Sequence, residues 1–206
     1  MGLDKGIVNS FKRGFENKCL RLITDSYSTA LEDNAIKRNW DENDITAQLH
    51  QHIKDNPLRL EWNIYSNVEE PLPKKGMKKE KGFAAKLSRI DLKFSVITSN
   101  LEYVYHMEAK NLKENDSALK RRYINTGINN FLSGKYQEGC LLGYVLEGAI
   151  DKSINGINKL LKKDKRTSEF LSKEENSVHG DCYRSNHPND FSIQHFMFDF
   201  TSLKSA

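Results

Sequence analysis

The sequence predicts an α/β fold: a central mixed β-sheet flanked by helices in the order αβββαβ, with an added N-terminal helical segment. Three observations carry this. Leu87 to Ile97 and Leu101 to Leu112 are apolar, strand-like runs separated by Thr98, Ser99 and Asn100, turn-forming residues that favour an antiparallel hairpin. Gly139 to Glu147 is a continuous apolar run punctuated by Gly139 and Gly143 and followed by Gly148, the pattern of a strand buried on both faces. Helical spacing brackets that run, with Leu119, Tyr123, Ile124, Gly127, Ile128 and Phe131 before it and Ile150, Ile154, Ile157 and Leu160-Leu161 after it.

Residues 7–36 read as helical, with Phe11, Phe15, Cys19 and Leu22 at three- and four-residue steps and a break expected at Gly14 or at Asp25-Ser26. A second helix covers Asn43 to Lys54 behind Asp41 or Asn43 as cap and stops at Asn56-Pro57. Leu58 to Tyr65 alternates Leu58, Leu60, Trp62 and Ile64 with polar residues, which predicts a half-buried strand. Glu69 to Lys86 contains Pro71, Pro73, Gly76 and Gly82 and reads as a loop rich in lysine. The helix of Ser117 to Leu132 opens at Asp116 or Ser117, that of Ala149 to Lys162 follows the apolar run, and Ile193 to Phe200 alternates as a last strand. The 206 residues predict one domain, made of a helical extension (1–38), the core (41–163) and a C-terminal loop and strand addition (164–206).

A turn centred between Ser99 and Asn100 pairs Leu92 with Met107, Phe94 with Tyr105, Val96 with Tyr103 and Ile90 with Ala109, so that one face of the hairpin is apolar. Asp91 then faces Glu108 on the other side, and Lys110 follows Glu108 on the same face because strand side chains alternate. Two carboxylates placed opposite each other repel unless a cation or a proton lies between them. Two hard oxygen donors suit Mg²⁺ or Mn²⁺.

Asp91 followed by Glu108-Ala109-Lys110 on the neighbouring strand resembles the core of the PD-(D/E)XK, or restriction-endonuclease-like, nuclease superfamily. Ile90 stands where the proline of the family name would be. The resemblance implies a restriction-endonuclease-like αβββαβ core and hydrolysis of phosphodiester bonds with Mg²⁺ as cofactor, or Mn²⁺ in its place. Asp91, Glu108 and the Ala109 carbonyl would ligate the ion, and Lys110 would position the attacking water and offset charge on the phosphate. A lysine among carboxylates stays protonated, so its simplest role is electrostatic. Many members also carry an acid on the first core helix. Glu42 is the third catalytic acid on that basis, and equally a first-turn acid favoured by the helix dipole. Some branches place Gln four residues before Tyr123, where this chain has Leu119.

By the resemblance the expected substrate is DNA, in a restriction or phage-defence effector, with an RNA-cleaving nuclease as the alternative within the enzymes. A catalytically silent subunit that binds nucleic acid or a partner is the alternative outside them. A second copy of the chain or a protein of a defence complex could join it. Lys74, Lys75, Lys78, Lys79 and Lys81 precede the Asp91 strand and could track a phosphate backbone or simply solvate a loop. Lys120 and Arg121 are further candidates for phosphate contact, and Tyr123 suits the core better than base stacking.

A net charge of +4 with 29% charged residues fits a polyanionic substrate. The odd set Cys19, Cys140 and Cys182 argues against a disulfide framework. Met1-Gly2-Leu3-Asp4-Lys5 lacks a signal-peptide core, and the stretch from Cys140 to Leu146 is too short to span a bilayer, so the expected compartment is the cytoplasm, away from membranes. His179, Cys182, His187 and His195 are of zinc-binding type but match no finger spacing; His187 could instead contact phosphate or be a structural histidine. There is no P-loop, nucleophile elbow, His-Glu-x-x-His element or internal repeat, which argues against an ATPase, a serine hydrolase and a zinc protease.

Overall fold

A computed structural model describes residues 5–72, 88–98, 101–136 and 138–203. The chain is α/β. Helices α1 (Lys5–Glu32), α2 (Glu42–Asp55) and α3 (Pro57–Glu61) lead into strands β1 (Tyr65–Leu72), β2 (Ser88–Ile97) and β3 (Glu102–Lys113). Then come α4 (Ser117–Arg122), a π-helical segment (Tyr123–Ile128), α5 (Asn129–Leu132), β4 (Gly139–Glu147), α6 (Ile150–Lys163) and a 3₁₀ turn (Thr167–Glu169). Strands β5 (Ser172–Glu174), β6 (Cys182–His187) and β7 (Phe191–Asp199) complete the fold.

The strands form one seven-stranded mixed sheet in the order β1-β2-β3-β4-β7-β6-β5. The β1–β2 and β2–β3 pairs are antiparallel, β3–β4 and β4–β7 are parallel, and the last two pairs are antiparallel again. The C-terminal addition thus extends the sheet from β4 onward. Gly143 permits this, because a Cβ there would collide with Met197 Sδ on β7 and with Leu112 on β3.

Alternation along the central strands splits the core into two layers. Leu142, Tyr144, Phe196 and Phe198 pack with Leu22 and Ile23 of α1 and Ile45, Leu49 and Ile53 of α2. Leu141, Val145, Ile193 and Met197 face the opposite way, onto Tyr123, Ile124 and Ile128 and onto Ile154, Ile157 and Leu161 of α6. Helix α1 runs unbroken through Gly14 and through Asp25-Ser26; Ser26 stays inside it by donating its hydroxyl to the Leu22 carbonyl at 2.7 Å. The helix expected over Ser117 to Leu132 is continuous but contains a π-helical segment, which places Tyr123, Ile124, Gly127 and Ile128 against the sheet. Gly127 permits close approach, since a Cβ would come 3.0 Å from a Leu141 methyl and 3.6 Å from Lys110 Cγ.

The strand expected over Leu58 to Tyr65 is corrected. Asn56 accepts the Leu58 N–H at 3.0 Å and Pro57 occupies the first turn, so the segment begins as helix α3 and leaves Leu60 exposed. Asn63, in the left-handed region at φ 53, turns the chain into β1, which takes in Glu69 to Leu72, expected as loop. The hairpin register agrees with the expected one from Leu92↔Met107 to Val96↔Tyr103. Ile90 does not pair with Ala109. It pairs with Glu70 on β1 and packs in the second layer with Leu112 and Tyr123. Among the described residues no helix is long and apolar enough to cross a membrane.

Candidate functional site

Strand β2 parts from β3 beyond the Leu92↔Met107 pair. The N–H groups that β3 would have donated to β2 are met by carboxylates instead: Ala109 N–H by Asp91 Oδ2 at 2.7 Å, and Asn111 N–H by Glu42 Oε1 at 3.0 Å. A buried N–H left without a partner costs about 1–3 kcal/mol, so these side chains stabilise the split. On β1, Glu69 sits in the left-handed region at φ 54, and the β1–β2 register omits its pairing with Asp91. The sheet is irregular where its acids gather.

Lys110 Nζ lies at the centre. It is 2.8 Å from Glu108 Oε1, 2.6 Å from the Ala109 carbonyl oxygen and 3.6 Å from Asp91 Oδ2. The three oxygens assigned to a metal by resemblance therefore face one positive charge. Glu108 and Lys110 are only 4% and 5% exposed, a burial that sharpens the electrostatics of the cluster. Glu108 is also fixed from the helical side: Tyr136 donates its hydroxyl to Oε2, and Asn130 donates Nδ2–H to Oε1 at 3.2 Å. Lys135 Nζ is 3.9 Å from Oε2.

Burial, then the negative charge of Glu108, raises the Asp91 carboxyl from 3.8 to about 6, while Lys110 and the Ala109 N–H pull the other way. Burial and the Glu108 carboxylate hold the Tyr136 phenol far above its ordinary value, so it stays protonated as the donor. The donor set, two carboxylates and a carbonyl, consists of hard oxygens, as Mg²⁺ or Mn²⁺ requires.

Glu42 lies in the first turn of α2 but does not cap it; Asp41 does, accepting the N–H groups of Asn43 and Asp44 at 2.9 and 3.0 Å. Besides Asn111 N–H, Glu42 holds Arg122 at 3.2 Å, and its charge is still felt at Asp91. Among the described residues no three His, Cys, Asp or Glu side chains form a group that could hold a metal ion. Asp91, Glu108 and Lys110 are together, whereas Glu42 is engaged with the neighbouring stretch of backbone.

Lys74, Lys75, Lys78, Lys79 and Lys81 lie outside the described residues. Lys120 is buried and donates to the carbonyls of Glu114 at 2.5 Å and Lys113 at 3.4 Å. Arg121 is ion-paired with Asp164. Asn130, Tyr136, Lys135 and Arg122 escaped the sequence reading as contributors to the site. Their one signal is position, on or just after the helix that follows the Glu-x-Lys strand.

Among the described residues the C-terminal histidines form no cluster of metal-ligating side chains and are engaged in hydrogen bonds. His179 Nε2 is bonded to the Met197 carbonyl at 2.7 Å. His187 is a structural histidine, one of the readings the sequence offered, and lies in a buried relay. Tyr123 Oη meets His195 Nδ1 at 2.9 Å, Ser185 Oγ lies 2.7 Å from His195 Nε2 and 2.7 Å from His187 Nε2, and His187 Nδ1 meets Glu169 Oε2 at 2.5 Å. Arg166 holds Glu169 through two bonds of 2.8 and 2.6 Å. With both imidazoles neutral every member donates to the next, from the Tyr123 hydroxyl to the Glu169 carboxylate, and no buried polar atom of the relay is left unpaired. Burial lowers both histidines accordingly, His195 to about 3.

Comparison with family models, with curated proteins and with solved structures finds no match to this chain.

Proposed function

We propose that this protein is a Mg²⁺-dependent nuclease that hydrolyses phosphodiester bonds in DNA through Asp91, Glu108 and Lys110. The observation that carries the reading is the convergence of Asp91 Oδ2, Glu108 Oε1 and the Ala109 carbonyl on the single ammonium of Lys110. Two nearly buried carboxylates side by side are costly without a cation, and Lys110 supplies one. The order α2-β1-β2-β3-α4-β4, with three antiparallel strands followed by a parallel one, supports a restriction-endonuclease-like core. A restriction or phage-defence role follows the resemblance alone.

Asp91, Glu108 and the Ala109 carbonyl would hold the ion. A bound Mg²⁺ supplies a Lewis acid for the phosphoryl oxygen and lowers the pKa of its water. Lys110, rooted on the same strand face, offsets the negative charge that builds on the phosphate. Tyr136 and Asn130 fix the Glu108 carboxylate, and the Ala109 N–H fixes that of Asp91. Such fixing matters because misplacement by about 1 Å costs on the order of 100-fold in rate.

The test is incubation with plasmid, single-stranded DNA and RNA in Mg²⁺, Mn²⁺ or EDTA, beside Glu108→Ala and Lys110→Ala. Cutting of DNA in Mg²⁺, absent in EDTA and in both variants, is expected. Cutting that survives both substitutions refutes the site, cutting of RNA alone reassigns the substrate, and binding without cutting in any metal makes the chain a silent subunit.

A further inference from the structure

Helix α6 has two faces. Ile154, Ile157 and Leu161 are buried, and Lys152, Asn155, Lys159 and Lys163 line the exposed side of a groove of about 440 Å³ shared with α4. Lys120 of α4 also lines it. The residue is 6% exposed, its ammonium donates to two carbonyls, and among the described residues no carboxylate lies within ion-pair distance of it. The Glu114 carboxylate acts on it from beyond ion-pair distance, and a buried ammonium neutralised only in this way favours a nearby anion.

The one acid in the lining, Glu114, is already engaged: it accepts the Ala149 N–H at 3.1 Å and holds Lys152 at 3.2 Å. Lys159 and Lys163 make no ion pair among the described residues. The groove is also fitted to its lysine, since a Cβ at Gly156 would come 2.7 Å from Lys120 Cδ and 2.9 Å from Cε. At 1.5 Å rise per residue, Lys152 to Lys163 extends about 16 Å along α6, longer than one phosphate.

We propose that the groove between α4 and α6 binds successive phosphates of a polynucleotide strand, with Lys120 at its floor and Lys152, Lys159 and Lys163 along its wall. The site is separate from the Asp91–Glu108–Lys110 cluster and stands whether or not that cluster cuts. The sequence offers Lys120 as a candidate for phosphate contact; the geometry makes it the buried end of a site whose accessible charges come from α6.

The test is fluorescence anisotropy of a labelled oligonucleotide, single-stranded and duplex, with the Glu108→Ala chain in EDTA, so that cleavage plays no part. Reversing two exposed charges, Lys159→Glu with Lys163→Glu, should weaken binding at least about tenfold at low salt and flatten the dependence of log K on log salt by about two. Lys159→Arg with Lys163→Arg should restore both. Unchanged affinity and slope in the reversed variant overturns the proposal. So does displacement of the strand by inorganic phosphate or a mononucleotide at equal concentration, which would mark a site for one small phosphate.

Discussion

Asp91→Asn should make the protein more stable, and increasingly so as pH rises. The Asp91 side chain is 15% exposed, and its carboxyl is raised from 3.8 to about 6, chiefly by burial and by Glu108. A raised acid binds protons more tightly folded than unfolded, so its stabilising effect is present at acid pH and is lost as pH climbs through about 6. At 1.36 kcal/mol per pH unit that change is about 3 kcal/mol; because Glu108 and Lys110 share the interaction, roughly 1–3 kcal/mol is expected. Asparagine keeps an oxygen for the Ala109 N–H and removes the charge. Urea denaturation in EDTA at pH 4.5 and pH 8 measures the difference between the natural chain and the variant, and titrating groups remote from the cluster cancel in that difference. The gap should open in favour of the variant at pH 8, equivalent to about 2–4 °C in Tm for each kcal/mol. A gap equal at both pH values, or a variant less stable at pH 8, refutes the reasoning. Under the nuclease reading, Mg²⁺ should then raise the Tm of the natural chain and not that of the variant.

Two further outcomes can be checked. Tyr136→Phe removes the donor to Glu108 Oε2, and should cost about 1–3 kcal/mol in urea denaturation and lower affinity for Mn²⁺ measured calorimetrically without substrate; unchanged values would show that the phenol is incidental. His195 is held neutral by burial at about 3, so its contribution is fully present above 6.5 and is lost as pH falls toward 3. The stability advantage of the natural chain over His195→Gln should shrink by about 2 kcal/mol between pH 7.5 and pH 5, and a constant advantage would mean that burial does not lower the His195 imidazole in the folded chain.

Much of the sheet was legible in the residues. The hairpin register follows from turn chemistry and an apolar face of period two, and β4 from an apolar run bounded by glycine. Leu58 to Tyr65 alternates like a strand, but Asn56-Pro57, read as the stop of one helix, also starts the next. Strand parity put Glu108 and Lys110 on one face, but not Asp91: β2 leaves β3 after Leu92, Ile90 crosses to the second layer, and Asp91 takes the Ala109 N–H in place of the expected pairing opposite Glu108. The supports of the cluster did not announce themselves: Asn130 and Tyr136 lie 22 and 28 residues from Glu108 and carry no spacing signal toward it.

By itself the sequence determined which residues share a strand face or a helix face, because those periods are set by the local backbone geometry of 2 and about 3.6 residues. Only the tertiary structure decided where β2 leaves β3, and with that which side of the sheet receives Ile90 and which carboxylates close the exposed N–H groups of Ala109 and Asn111. It also turned Lys120 inward and linked Tyr123 to Glu169 through three intervening side chains. Those outcomes depend on burial and on partners brought from distant parts of the chain, and a buried polar group takes whichever partner the packing supplies.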